Sequence, residues 1–150
     1  MSTHPRGFTL LMAILTAGIM LALGYAIFNI VSKEILLSSA GRESQFAFFA
    51  ADTGIECALY YDSKFDAFST SSPLVDVSCG AASSTLVREI VGTSATTTFS
   101  FQLSSSITRP CVTVIVAKSV PAKTKIESAG YNTCVTTNPR RIERAIRVTY

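Results

Sequence analysis

The side chains able to do chemistry are few and far apart. The single histidine, His4, lies three residues from the first methionine. A serine–histidine or cysteine–histidine nucleophile is therefore not expected anywhere past the N-terminal segment. The cysteines Cys57, Cys79, Cys111 and Cys134 contain no CxxC pair, so the close spacing of a structural zinc site is missing. Asp52/Glu56 and Asp62/Asp66 stand at four-residue spacing, where two carboxylates on one helix face can share a cation. Charged, solvated helix surface is the simpler reading of both pairs. Arg140, Arg141, Arg144 and Arg147 form a basic run that could meet phosphates. Glu143 interrupts that run and Tyr150 is its only flanking aromatic, which favours a solvated or salt-bridged strand face. Gly18, Gly24 and Gly41 are too dispersed to build a phosphate-binding loop. No enzyme, cofactor or metal site is expected from this inventory.

The elements that must position these residues are dominated by one stretch. Phe8 to Val31 is 24 residues without a charge. At 1.5 Å per residue such a helix is about 36 Å long, enough for a bilayer core of about 30 Å. A seven-residue leader, Met1 to Gly7, precedes it and carries Arg6. Ser38-Ser39-Ala40 offers a small-residue cleavage site, but Lys33-Glu34 intervene and the apolar core is too long for an ordinary secretory signal. A retained membrane helix follows, with Arg6 on the cytoplasmic side and the cysteines outside.

Residues 32–61 continue the helix. They lack proline, and Phe46, Ala50, Thr53, Cys57 and Tyr60 or Tyr61 lay an apolar stripe along one face. Arg42, Glu43, Asp52, Glu56 and Asp62 mark the opposite, wet face. One helix is thus expected from about Phe8 to about Tyr61, with Gly18, Gly24, Gly41 and Gly54 as its weak points. From Asp62 to Thr98 a Ser-, Thr- and Gly-rich connection holds apolar patches at Leu74–Val77 and Leu86–Val91, the second a short strand or helix.

The pattern then turns to β. Phe99, Phe101 and Leu103 alternate with Ser100 and Gln102. Cys111 to Ala117 is apolar on both faces and should be a central strand. A turn at Ser119–Lys123, around Pro121, leads to a strand over Lys125–Tyr131. The last strand, Ile142 to Tyr150, turns Ile142, Ile146, Val148 and Tyr150 inward. Arg144 breaks that inner face and should sit at an edge or meet a carboxylate. If the turn centres near Pro121, Cys111 lies opposite about Tyr131, close enough for a bridge to Cys134. Cys57 and Cys79 are then left for each other, although four cysteines permit three connectivities. A bridge closing a loop of this size is worth about 3 kcal/mol. The expected architecture is α+β: residues 1–7 a leader, 8–31 the membrane segment, 32–61 its amphipathic continuation, and 62–150 a loop and small antiparallel sheet outside the membrane.

The opening residues Arg6-Gly7-Phe8-Thr9-Leu10-Leu11, with the apolar helix they begin, resemble the type IV pilins and type II secretion pseudopilins. Ala50-Ala51-Asp52-Thr53-Gly54-Ile55-Glu56 is also similar to a stretch of minor pilins, and the order of helix, loop, sheet and late disulfide resembles the pilin layout. The resemblance implies cleavage between Gly7 and Phe8 by a prepilin peptidase and N-methylation of Phe8. It implies storage in membrane lipid, then assembly with other pilin subunits on an inner-membrane platform into an extracellular filament. DNA enters as a partner only through the arginine run.

One residue departs from the family. The family's glutamate at the fifth mature position is Met12 here. A carboxylate there would attract a neighbouring subunit's terminal amine in a dry helical core. Subunits without it resemble tip-located minor pseudopilins, so Met12 points to a minor, initiating or tip subunit. The competing expectation is a single-pass anchor carrying an extracellular β-domain that binds a ligand and never polymerises.

Overall fold

The structure, a computed structural model, describes residues 6–71, 76–80, 84, 86–119 and 123–150. The chain is an α+β protein with one helix, α1 (Arg6–Phe65), and five strands. The strands are β1 (Val87–Val91), β2 (Ser94–Gln102), β3 (Cys111–Ser119), β4 (Lys123–Tyr131) and β5 (Glu143–Thr149). They form one antiparallel sheet in sequential order, β1-β2-β3-β4-β5. Short connections between sequence neighbours give this meander directly. The chain divides into two compact units, Met1–Ala40 and Gly41–Tyr150.

In the first unit α1 is bare. Its large apolar side chains, Phe8 through Leu37, are all exposed, and no part of its most apolar window is buried. A helix of this length and apolarity near the N-terminus can cross a membrane. An apolar surface left open along a whole helix needs a nonaqueous cover.

In the second unit α1 packs on the sheet through small residues. Ala47, Ala50 and Ala51 are buried against Gly130, while Ile55, Cys57 and Ala58 join a core with Val112, Val114, Val116 and Ile126. This stripe is rotated in part from the expected one: Ala50, Cys57 and Tyr61 lie on it, but Phe46 and Tyr60 are about half exposed. The reason is steric. The sheet comes so close that only alanine, glycine and short side chains fit beneath the helix. A Cβ on Gly54 would lie 2.2 Å from Ser128 Oγ and 2.6 Å from Val112 Cγ2. One on Gly130, in β4, would lie 2.1 Å from the Ala47 carbonyl oxygen and 2.3 Å from the Ala51 nitrogen. A glycine inside a strand marks such a close backbone approach. Phe68, Phe99 and Phe101 stack beside this contact and close the core with Val77.

β1 sits where a short element was expected, and β3 is the central strand. β3 is buried on the helix side only, because one helix covers one face; Ile115, on the other face, is 38% exposed. The turn around Pro121 and the residues Leu74 and Val75 lie outside the described residues. β5 is an edge strand, and Arg144 on it reaches back to the helix, its Nε donating to Ser44 Oγ at 2.7 Å. The β4–β5 connection hangs on Asn132, which is buried. Asn132 Nδ2 donates to Glu43 Oε2 (3.0 Å) and to the Arg140 carbonyl (3.1 Å), while Oδ1 accepts from the Ile142 N–H (2.7 Å).

Candidate functional site

The N-terminal candidates share one helical surface. Arg6 and Gly7 are already helical, and Phe8 and Met12, one turn apart, are 63% and 50% exposed. Residues four apart lie on the same helix face, so whatever packs against Phe8 also meets Met12. Thr16 Oγ1 donates to the Met12 carbonyl at 2.9 Å, which satisfies a hydroxyl that lipid would otherwise leave unpaired. Leu10, Leu11, Ile14 and Leu15 line a shallow, open apolar groove beside them. Gly18, Gly24 and Gly41 face open space.

The cysteines divide into two kinds. Cys57 and Cys79 form a disulfide, Cα–Cα 6.2 Å, that ties α1 to the connection following it. Cys111 does lie opposite Tyr131 in the β3–β4 register. The bridge expected between Cys111 and Cys134 is not formed: both are free thiols. Cys134 Sγ donates to the Arg109 carbonyl at 3.4 Å. Burial, and then Cys134 beside it, push the Cys111 thiol up to about 12.

The arginine run does not converge. Arg147 lies on the face of the sheet away from the helix, where its Nε donates to Glu127 Oε1 at 2.6 Å. Lys125 Nζ joins the same carboxylate at 3.1 Å. The hydrogen bond from Lys125, then that from Arg147, hold the Glu127 carboxyl below its usual range. Arg144 faces the helix, and Arg141 lies flat over the Tyr131 ring, 3.7 Å from its centre. Alternation along a strand places Arg144 and Arg147 on opposite faces. Arg144 and Arg147 therefore do not share a face of the sheet.

The carboxylate pair Asp62/Asp66 does share a cation, which is the ammonium of Lys118. Asp62 is buried, contrary to its expected place on the wet face. Lys118 Nζ lies 2.7 Å from Asp62 Oδ1 and 2.6 Å from Asp66 Oδ1. The Tyr150 hydroxyl donates to Asp62 Oδ2 at 2.6 Å. Local backbone explains the convergence. α1 stops at Phe65 because Asp66 takes φ 45°, a left-handed conformation that aspartate tolerates better than most residues. Its carboxylate thereby meets the end of β3. Tyr150 is placed by a reciprocal pair of backbone hydrogen bonds with Thr124, 2.9 and 3.0 Å. Burial opposes the Lys118 charge, but the hydrogen bonds to Asp62 and Asp66 outweigh it and raise the group above its usual range. Lys118 and Tyr150 carry no local sequence signal for this role; only the strand register brings them to the helix end. The pair Asp52/Glu56 remains exposed. Among the described residues no group of three or more His, Cys, Asp or Glu side chains could hold a metal ion.

Comparison with known proteins finds no matching family model, no matching curated protein and no matching solved structure.

Proposed function

We propose that the chain is a minor type IV pilin or pseudopilin. In this reading it is a structural subunit, cut by a prepilin peptidase and assembled at or near the tip of a filament. The observation that carries the reading is the junction Gly7-Phe8-Thr9-Leu10-Leu11 at the head of a helix that is uncharged and exposed from Phe8 to Val31. Cleavage after Gly7 leaves Phe8 as the new N-terminus, with the apolar helix beginning at its first residue. An unbroken apolar surface is stable in lipid, and equally stable in a bundle of similar helices. One element thus serves as membrane anchor before assembly and as filament core after it. The folded unit from Gly41 onward would then project outside the membrane, where the Cys57–Cys79 disulfide is at home.

Met12 supports the tip position. A shaft subunit must receive the terminal amine of a neighbour, and a thioether offers that charge no counterion. A subunit at the tip has no such demand. The test is the mature N-terminus, read by mass spectrometry of the protein made alongside a prepilin peptidase. A chain that begins at N-methylated Phe8 supports the proposal. An intact Met1 supports the alternative, a single-pass anchor with a ligand-binding outer domain. A chain beginning at Gly41 would mean an ordinary secretory signal.

A further inference from the structure

The Lys118, Asp62, Asp66 and Tyr150 cluster holds an amine, a carboxyl acceptor, a second carboxylate and a phenol in mutual contact. We infer that it is a self-modification site: Lys118 Nζ and Asp62 Cγ condense to an amide that covalently joins β3 to α1. The inference stands on geometry and is independent of the filament reading.

The two carboxylates receive the ammonium differently. Asp66 Oδ1 accepts a hydrogen bond from Lys118 Nζ at 2.6 Å. Asp62 Oδ1 lies 2.7 Å from the same nitrogen and is buried. Lys118 Nζ is thus held in direct contact with the Asp62 carboxyl, the proximity that turns an encounter of two groups into a step within one molecule. Asp66 is the mostly exposed member, its side chain 62% accessible against 7% for Asp62. It is suited to exchange protons. Asp62 Oδ2 carries the Tyr150 hydrogen bond, a neutral donor placed where negative charge would collect during attack.

The step balances without an outside reagent. The reacting form is the minor one in which Asp66 has taken one proton from the Lys118 ammonium, leaving an amine whose lone pair attacks Asp62 Cγ. Charge develops on Oδ2, held by Tyr150, and Oδ2 becomes the amide oxygen. Asp66 returns its proton to Oδ1, and the second proton lost by the nitrogen follows. The Cγ–Oδ1 bond breaks and Oδ1 departs as water. Lys118 lines a cavity of about 170 Å³ with Ser69, Thr70 and Thr124, which gives that water an exit. Asp66 ends as it began, a carboxylate. The driving force is burial: an ion pair taken from water bears a desolvation cost that a neutral amide does not.

The experiment is intact mass spectrometry of the full chain, purified in detergent, reduced and unfolded. The expected mass is one water below that of the sequence, after allowing for any N-terminal processing. Peptide mapping should return a branched peptide joining the segments that contain Asp62 and Lys118. K118R keeps a cation at the site but cannot condense, and should show the full mass. D62N should yield the same branched product with loss of ammonia in place of water. D66N should fold, judged by its Cys57–Cys79 disulfide, and cross-link more slowly. A wild-type chain that keeps its full mass on prolonged incubation overturns the inference. Loss of water that persists in K118R overturns it equally, because the dehydration then lies elsewhere. Cross-linking at the wild-type rate in D66N removes Asp66 from the mechanism.

Discussion

At the residue scale the informative positions are those where a single atom decides the outcome. Gly130 and Gly54 face each other's elements across the helix–sheet contact, but their neighbours differ in how far they can yield. Beside Gly54 stand the side chains of Ser128, Val112 and Val114; beside Gly130 stands helix backbone. Gly54→Ala should destabilise by about 1–3 kcal/mol through overpacking, and Gly130→Ala by more, since backbone cannot change rotamer. Gly41→Ala should do the opposite, because nothing lies within 4 Å and alanine raises helix propensity by up to about 1 kcal/mol. Urea unfolding of the three variants gives the ranking. Glu127 gives a pH dependence of known sign. Its carboxyl is held below the usual range by Lys125 and Arg147, so its stabilising effect is present above the unfolded value and lost as pH falls below about 4.3. Thermal melts across that window should show a flatter acid limb in E127Q.

At the scale of the elements, the helix and sheet are joined by packing and by the Cys57–Cys79 bridge, which closes over a separation of 22 residues. Replacing both cysteines by alanine should lower stability by about 3 kcal/mol, read as a shifted denaturation midpoint in non-reducing buffer. The same pair of substitutions should leave β3–β4 pairing intact, since that ladder does not depend on the bridge. The split of the arginine run also belongs at this scale. With Arg144 bound to Ser44 and Arg147 to Glu127, neutralising all four arginines should leave DNA binding at background, measured by gel shift against the unaltered chain.

At the scale of the whole molecule, the proposed function turns on what happens to the apolar stretch of α1 from Phe8 to Leu37, whose large apolar side chains are all exposed. Replacing Gly7 by a bulky residue should block processing and leave a precursor beginning at Met1. Met12→Glu should, on the tip reading, raise the abundance of the subunit in purified filaments; unchanged abundance would separate Met12 from stoichiometry. Much of the plan was legible in residue order alone. The uncharged run from Phe8, the strand alternation at Phe99–Phe101, and the Cys111–Tyr131 register all follow from local periodicity and turn position, which a linear chain displays. The rotated helix stripe was not legible, because it reflects how near the sheet approaches, and only Gly130 within a strand hinted at that. The free thiols of Cys111 and Cys134 were not legible either, whereas the opposite faces of Arg144 and Arg147 follow from their three-residue spacing on a strand.

Sequence by itself thus determined a helix long and apolar enough to cross a membrane, the element order and the α+β class, since each rests on contiguous residues. Tertiary structure alone decided the meeting of Asp62, Asp66, Lys118 and Tyr150. These side chains come from the end of α1, the turn after it, β3 and the residue beyond β5. A carboxylate pair that reads as solvated helix surface becomes a buried cation-binding pair once strand order places a lysine against it. The physical reason is that charge pairing depends on distance in space, and residues far apart in sequence acquire that distance only when the sheet is built.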